Sequence, residues 1–229
     1  MDQGTIPHGS GGGPPVRDCR LLEYSRMDYL RARKLQLKIL GRKTAGELEE
    51  DVLILLEHSP VFTLGRSGEE GNLLVSRERL DELGISMQRV ERGGDITYHA
   101  PGQIVAYPIL DLKAARLGVK NFVSGLEEVM IRTAADFGVT ASRCGTERGA
   151  WVGPRKLGSL GIAVSRGVSY HGLAFNVDLS LEPFSWINPC GMPRVQMTSL
   201  CRETARNPTT TPVRSRMKGH FREVFRLRL

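Results

Sequence analysis

Aromatic side chains are scarce in this chain, at 6% of its 229 residues. That matters because the chain is basic: 32 Lys and Arg stand against 25 Asp and Glu, a formal charge of +7. Binding single-stranded nucleic acid needs stacking platforms beside a positive groove. Here the Lys and Arg are scattered, with no aromatic interleaving in any one stretch. The charge therefore reads either as that of an ordinary basic protein or as an attraction for an acidic protein partner. Long apolar runs are also missing. None approaches the roughly 20 residues that span a bilayer, and MDQGTIPHGSGGGPPVRD at the N-terminus has no apolar signal core. The four cysteines, Cys19, Cys144, Cys190 and Cys201, form no CxxC pair, and no His-rich segment sits at metal spacing. A zinc site and a secreted disulfide framework are both disfavoured. The expectation is a cytoplasmic protein with reduced thiols, no metal, no cofactor, and neither nucleic acid nor membrane as partner.

What is present is ordinary for a globular protein: 40% hydrophobic and 25% charged residues. Residues 1–17 read as a flexible Gly/Pro leader, and 18–229 as a single domain. CRLLEY (Cys19–Tyr24) suits a first strand. Ser25 is a candidate cap for a helix that brings Leu30, Leu35, Leu37 and Leu40 to one side and ends at Gly41. The dense apolar run Val52–His58 suits a central strand, and Val61–Gly65 a short one. Ser76–Gly84 predicts a short helix, Met87–Glu91 a strand, Arg92–Gln103 a Gly-rich loop, and Ile104–Leu110 another strand. Val119–Phe137 is the clearest helix, with Phe122, Leu126, Val129, Ile131 and Ala134 on its apolar face. Strands follow at Ala150–Val152, Lys156–Ser165 and Ser169–Val177, the last two joined by Arg166-Gly167. Pro183–Gly191 is read as a loop, and an Arg-rich helix starts near Pro212. Short turns between strands, without strict βαβ alternation, favour an α+β mixed sheet with flanking helices.

Three segments carry more chemistry than packing requires. In RGGDITYHAPGQ, Gly93 and Gly94 allow close backbone approach beside Arg92, Asp95, Tyr98 and His99; the alternative is a solvated hairpin loop. In GPRKLGSLGIAV, Lys156 opens a strand of small and apolar neighbours. Such a lysine is either a solvated strand-end charge or a desolvated acid/base. In WINPCGM, Cys190 lies between Pro189 and Gly191. It is either a buried structural thiol or a displayed nucleophile, the latter helped by a nearby ammonium that favours thiolate.

Taken in order, these segments resemble the lipoyl/octanoyl transferases, the family of lipoate-biosynthesis protein B. The carrying residues are Arg92-Gly93-Gly94-Asp95-Ile96-Thr97-Tyr98-His99, Pro101-Gly102-Gln103, Lys156 with Ser159-Leu160-Gly161-Ile162, His171 through Val177, Asn188-Pro189-Cys190-Gly191, and Thr198-Ser199-Leu200. The resemblance runs from about residue 20 to 203. It departs at Ala100, where the family carries Gly, which adds a methyl beside the expected pocket.

The resemblance implies a mixed sheet with flanking helices similar to lipoate and biotin protein ligases. It implies transfer of octanoyl (or lipoyl) from an acyl-carrier-protein thioester to the lysine of lipoyl domains, the first step of protein lipoylation. The acceptors would be 2-oxoacid dehydrogenase E2 subunits and the glycine cleavage H protein. Cys190 would be the acyl-accepting nucleophile and Lys156 its acid/base partner. Arg92, Gly93, Gly94, Asp95, Ile96, Thr97, Tyr98, His99, Ser159, Leu160, Gly161, Gly172, Leu173 and Ala174 would bind substrate. A covalent intermediate shared by two half-reactions predicts ping-pong kinetics, and an acidic carrier gives the positive charge a partner. The alternatives are an ATP-dependent lipoate or biotin ligase-like enzyme and a non-catalytic binding protein on the same fold.

Overall fold

The computed structural model describes residues 15–145, 147–188 and 195–229. Residues 1–14, most of the expected leader, and Cys190 with its neighbours Pro189 and Gly191 lie outside these described residues. The first elements are β1 (Arg17–Glu23), α1 (Tyr29–Thr44), β2 (Asp51–Leu56), β3 (Val61–Leu64), α2 (Arg77–Glu82), β4 (Ser86–Arg89), β5 (Ile96–His99) and β6 (Gln103–Ile109). After these come α3 (Val119–Asp136), β7 (Ala150–Val152), β8 (Arg155–Ser165), β9 (Val168–Asn176), β10 (Gln196–Met197), α4 (Leu200–Glu203), α5 (Thr210–Phe225) and β11 (Leu227–Arg228). Two 3₁₀ turns, Glu70–Asn72 and Glu182–Trp186, complete the order.

The large sheet runs β10-β8-β9-β6-β2-β1-β11, with β7 on β8; a second sheet runs β4-β3-β5. Both sheets mix parallel and antiparallel pairs, so the fold is the expected α+β mixed sheet with flanking helices. Helices α3 and α5 cover one face of the large sheet, where Phe122, Leu126 and Met130 meet Phe175, Phe221 and Phe225. Helix α1 covers the opposite face through Ala32, Ile39 and Leu40 against Ile54, Val105 and Tyr170. The small sheet has its own cluster around Phe62, Ile96, Tyr98 and Phe184. Burial on both faces explains why β2 reads as an unbroken apolar run.

Several expected elements move. Helix α1 is capped by Asp28, whose side chain accepts from the Arg31 N–H, rather than by Ser25. It passes through Gly41 and stops where Gly46 takes a positive φ of 77°. Its inward face is Tyr29, Ala32, Gln36, Ile39, Leu40 and Lys43, while Leu30 is half exposed. The segment expected to be wholly loop contains β5, because Ile96–His99 pairs antiparallel with β3. The turn between β8 and β9 is as expected: Arg166 and Gly167 both have positive φ, 48° and 86°, the pattern of a tight hairpin.

The end of α1 is tied to the sheet by ions. Lys43 Nζ donates to the carbonyls of Glu49 and Glu50 at 3.2 and 2.9 Å and pairs with Asp51 at 3.1 Å. Arg17 closes on the same carboxylate, and the side chains of Lys43 and Asp51 are both buried. Removing one member strands a buried charge, which costs about 3–5 kcal/mol. Asp51→Ala is therefore expected to lower unfolding stability by about that amount, read as a drop in the urea midpoint.

Candidate active site

The β3–β4–β5 sheet packs toward the α1-covered face of the large sheet, and a cavity of about 470 Å³, mouth included, lies between them. Its floor is Ser159, Leu160 and Gly161 of β8 and Gly172, Leu173 and Ala174 of β9. Its other walls carry Arg92, Asp95, Ile96, Thr97 and His99. Eleven of the fourteen residues expected to bind substrate thus line one space.

Gly93, Gly94 and Tyr98 do not line it. Alternation along β5 sends Tyr98 into the small-sheet core, against Phe62 and Phe184, and leaves Thr97 and His99 on the cavity side. Gly93 is used as backbone: its N–H donates to Ile162 O at 2.8 Å, holding the loop to β8. The methyl of Ala100 also packs in the small-sheet core rather than in the cavity. Asp95 faces the cavity, but its carboxylate serves the loop, accepting from the N–H groups of Ile96 and Glu69 and from Asn72 Nδ2.

Arg92 joins the two sheets. Its guanidinium donates to Thr63 O at 2.6 Å, to Thr63 Oγ1 at 2.8 and 3.1 Å, and to Gly93 O at 3.1 Å. Its stem lies over Gly161, where a Cβ would come 2.8 Å from Arg92 Cδ and 3.0 Å from Gly93 O. Only glycine allows this approach.

Lys156 is 2% exposed, with its ammonium 5.1 Å from the centroid of the Trp151 ring. A bulge sets its direction. Ala150 pairs with Gly158 and Trp151 with Lys156, so Leu157 is an extra residue on β8. Leu157 packs in the α3 cluster, and a Cβ on Gly158 would run into Met130 of that same cluster. Two successive positions face α3, so the alternation resets and Lys156 is turned off that face. Met197 is its partner on β10, and the Thr198 N–H donates to Lys156 O at 2.9 Å.

Four wall residues, Tyr29, Val105, Tyr107 and His171, were not among those expected at the site. Pro108 explains His171. Its C=O accepts from Ser169 Oγ on the β9 side, and that side therefore lacks an N–H. The β6–β9 ladder stops at Ala106 and Leu173. In the gap His171 takes φ 56° within a strand, and its N–H donates to Gln36 Oε1 of α1 at 2.8 Å. Its ring turns to Tyr107 and Tyr170, with both nitrogens buried and without hydrogen bonds. Beside it, His58 Nδ1 lies 2.8 Å from Met27 O, which can only accept. Nδ1 therefore carries the proton, and Tyr107 Oη donates to Nε2 at 2.6 Å. The sequence signal for this group was the density of His and Tyr in RGGDITYHAPGQ and SYHGLAFN.

Burial pushes His58 and His171 down to about 4, in His171 against the opposing pull of Glu91. Between that value and the usual 6.5 the unfolded chain binds protons that the native state does not. Stability is therefore full above about pH 6.5 and falls as pH drops toward 4, by up to ~1.4 kcal/mol per pH unit for each histidine. Urea midpoints between pH 7 and pH 4.5 are expected to follow this slope, and His171→Asn to flatten it.

Comparison with known proteins gives this geometry its relatives. Residues 28–222 match the lipoyl protein ligase A/B catalytic domain. An octanoyltransferase of Desulfotalea psychrophila is 44% identical over 207 residues, covering 90% of this chain and 93% of that protein. A mitochondrial octanoyltransferase of Arabidopsis thaliana is 40% identical over 195 residues, 82% of each chain. Among solved structures, a lipoate-protein ligase A bound with ATP superposes with a TM-score of 0.74 at 15% identity, over 92% of this chain and 86% of that one. A biotin protein ligase from Aquifex aeolicus with biotin and ATP gives 0.53 at 11% identity, over 90% and 70%.

Proposed function

The chain belongs to the lipoyl protein ligase A/B catalytic-domain family, and within it we propose transfer of octanoyl, or lipoyl, from an acyl-carrier-protein thioester to a lipoyl-domain lysine through an acyl-Cys190 intermediate. Octanoyl transfer in protein lipoylation is the activity carried by its relatives at 40–44% identity, and this chain is an acyltransferase of that kind. The cytoplasm is the proposed setting, and E2 subunits and the glycine cleavage H protein are the proposed acceptors. Among the described residues no helix is long and apolar enough to cross a membrane.

One observation supports the substrate best: the cavity floor of small and apolar residues runs along β8 and β9 from the strand end that bears Lys156. Ile96, Val105, Leu160, Leu173 and Ala174 offer an acyl chain an apolar wall. At about 0.8 kcal/mol per buried CH₂, the tail of an octanoyl group is stabilised by on the order of 5 kcal/mol. This binding energy is available in both half-reactions.

In the proposed chemistry Lys156 takes the Cys190 thiol proton, and the thiolate attacks the carrier thioester. The carrier thiol leaves with the proton returned by Lys156. The acceptor amine then attacks the acyl-Cys190 carbonyl: a C–N bond forms and the C–S bond breaks. The proton released by nitrogen passes through Lys156 to the Cys190 sulfur. Backbone N–H groups of the Ser159–Gly161 segment are candidates to stabilise the oxyanion. Since a thioester becomes an amide, no ATP is needed.

Intact-protein mass after mixing with octanoyl-acyl carrier protein tests this directly. The expected result is one added octanoyl group in the wild type and none in Cys190→Ala, with adduct formation in Lys156→Ala slowed at least about 100-fold. Loading of free octanoate that requires ATP, without an adduct, would instead support the ligase chemistry.

A further inference from the structure

The buried amides beside the cavity have a fixed direction. Asn176 Nδ2 donates to Thr198 O at 2.9 Å, which turns Asn176 Oδ1 toward Gln103. Gln103 Nε2 donates to that oxygen at 2.9 Å and to Tyr98 O at 3.2 Å. Its Oε1 is thereby turned to His99 Nδ1, 2.7 Å away. An amide oxygen only accepts, so His99 carries its proton on Nδ1 and presents the lone pair of Nε2. Two backbone carbonyls, Tyr98 O and Thr198 O, lock this tautomer from outside the ring. Among the described residues Nε2 takes no hydrogen-bond partner, and it is not sealed from the cavity that His99 lines.

The row of amides behind this ring runs toward Lys156. Gln103 stands opposite Asn176, and Phe175 opposite Gly158, so the row continues onto β8 within two residues of Lys156. Two strand spacings of about 4.8 Å put the β6 end of the row roughly 10 Å from β8. The row also ends on Lys156 itself, through the Thr198 N–H to Lys156 O. Around the ring stand Tyr29 of α1, stacked at 6.0 Å, and His58 between β2 and β3, edge-on at 5.6 Å. Burial first, then the charges of His58, Arg92 and His171, hold His99 well below the usual histidine range, against the pull of Gln103. The imidazole therefore remains an acceptor across the neutral range.

We propose that His99 Nε2 accepts one N–H of the incoming lysine amine and orients its lone pair on the acyl carbonyl. This rests on the acyl-Cys190 reading. An amine has two N–H bonds. One is held by His99 and remains in the product amide; the proton of the other leaves as C–N forms and C–S breaks, and ends on the Cys190 sulfur. A thioester donor brings no such N–H to its reacting carbon, so this contact acts in transfer to nitrogen.

The experiment separates the two half-reactions in His99→Asn and His99→Gln. Asparagine keeps a donor near Nδ1 but has nothing at Nε2; glutamine places a polar atom near Nε2. Each enzyme is loaded with octanoyl-acyl carrier protein, freed of donor, and mixed with a lipoyl domain. Adduct growth and decay are followed by intact mass. The expected result is a loss in transfer about 100-fold greater than any loss in loading for His99→Asn, and partial recovery of transfer in His99→Gln. Wild-type transfer by loaded His99→Asn would overturn the proposal. So would equal slowing of loading and transfer in both variants, which marks a structural role. If the wild type forms no adduct, the acyl-Cys190 reading fails and this step falls with it.

Discussion

The cavity depends on one guanidinium. Arg92 ties the small sheet to the cavity floor: it bonds Thr63 of β3 and lies on Gly161 of β8. Its hydrogen bonds go mostly to neutral oxygens, so the charge is dispersed over the wall it builds. Beneath it the small residues of β8 and β9 keep the cavity open, the space proposed for the acyl chain. A side chain at Gly161 would fill that space from below and push Arg92 off from above.

The histidines around this space share one physical state. His58, His99 and His171 are buried and each is held below its usual titration range. Their tautomers are set by groups that can only accept: Met27 O for His58 and the Gln103 amide oxygen for His99. At neutral pH these rings therefore add no positive charge beside the cavity that Arg92 lines.

Much of this was legible in the residues. The buried run of β2, the face of α3 and the β8–β9 hairpin were readable because each obeys one local rule. The motif residues on β5, β8 and β9 were readable by resemblance, and most of them meet in one cavity. The rest depends on tertiary contacts. Asp28 displaces Ser25 as the cap of α1, and Gly41 is carried inside the helix because α1 packs on the sheet beyond it. The β5 strand hides in a Gly-rich stretch because its partner is β3, more than thirty residues upstream. Tyr29, His58 and Tyr107 come from three separate elements, and no spacing rule joins them. Lys156 needed the bulge at Leu157, which a period-two reading of β8 does not contain.

The large sheet closes by pairing Arg17 of β1 with Leu227 of β11, in parallel. A contact between such distant parts of the chain carries a large loop-closure entropy and slows folding. During synthesis β1 must wait, its edge unpaired, until nearly all the rest of the fold has emerged. Until then that edge is open to pairing with another chain. The yield of active protein made at high expression rates should therefore be governed by this last-formed edge rather than by the cavity.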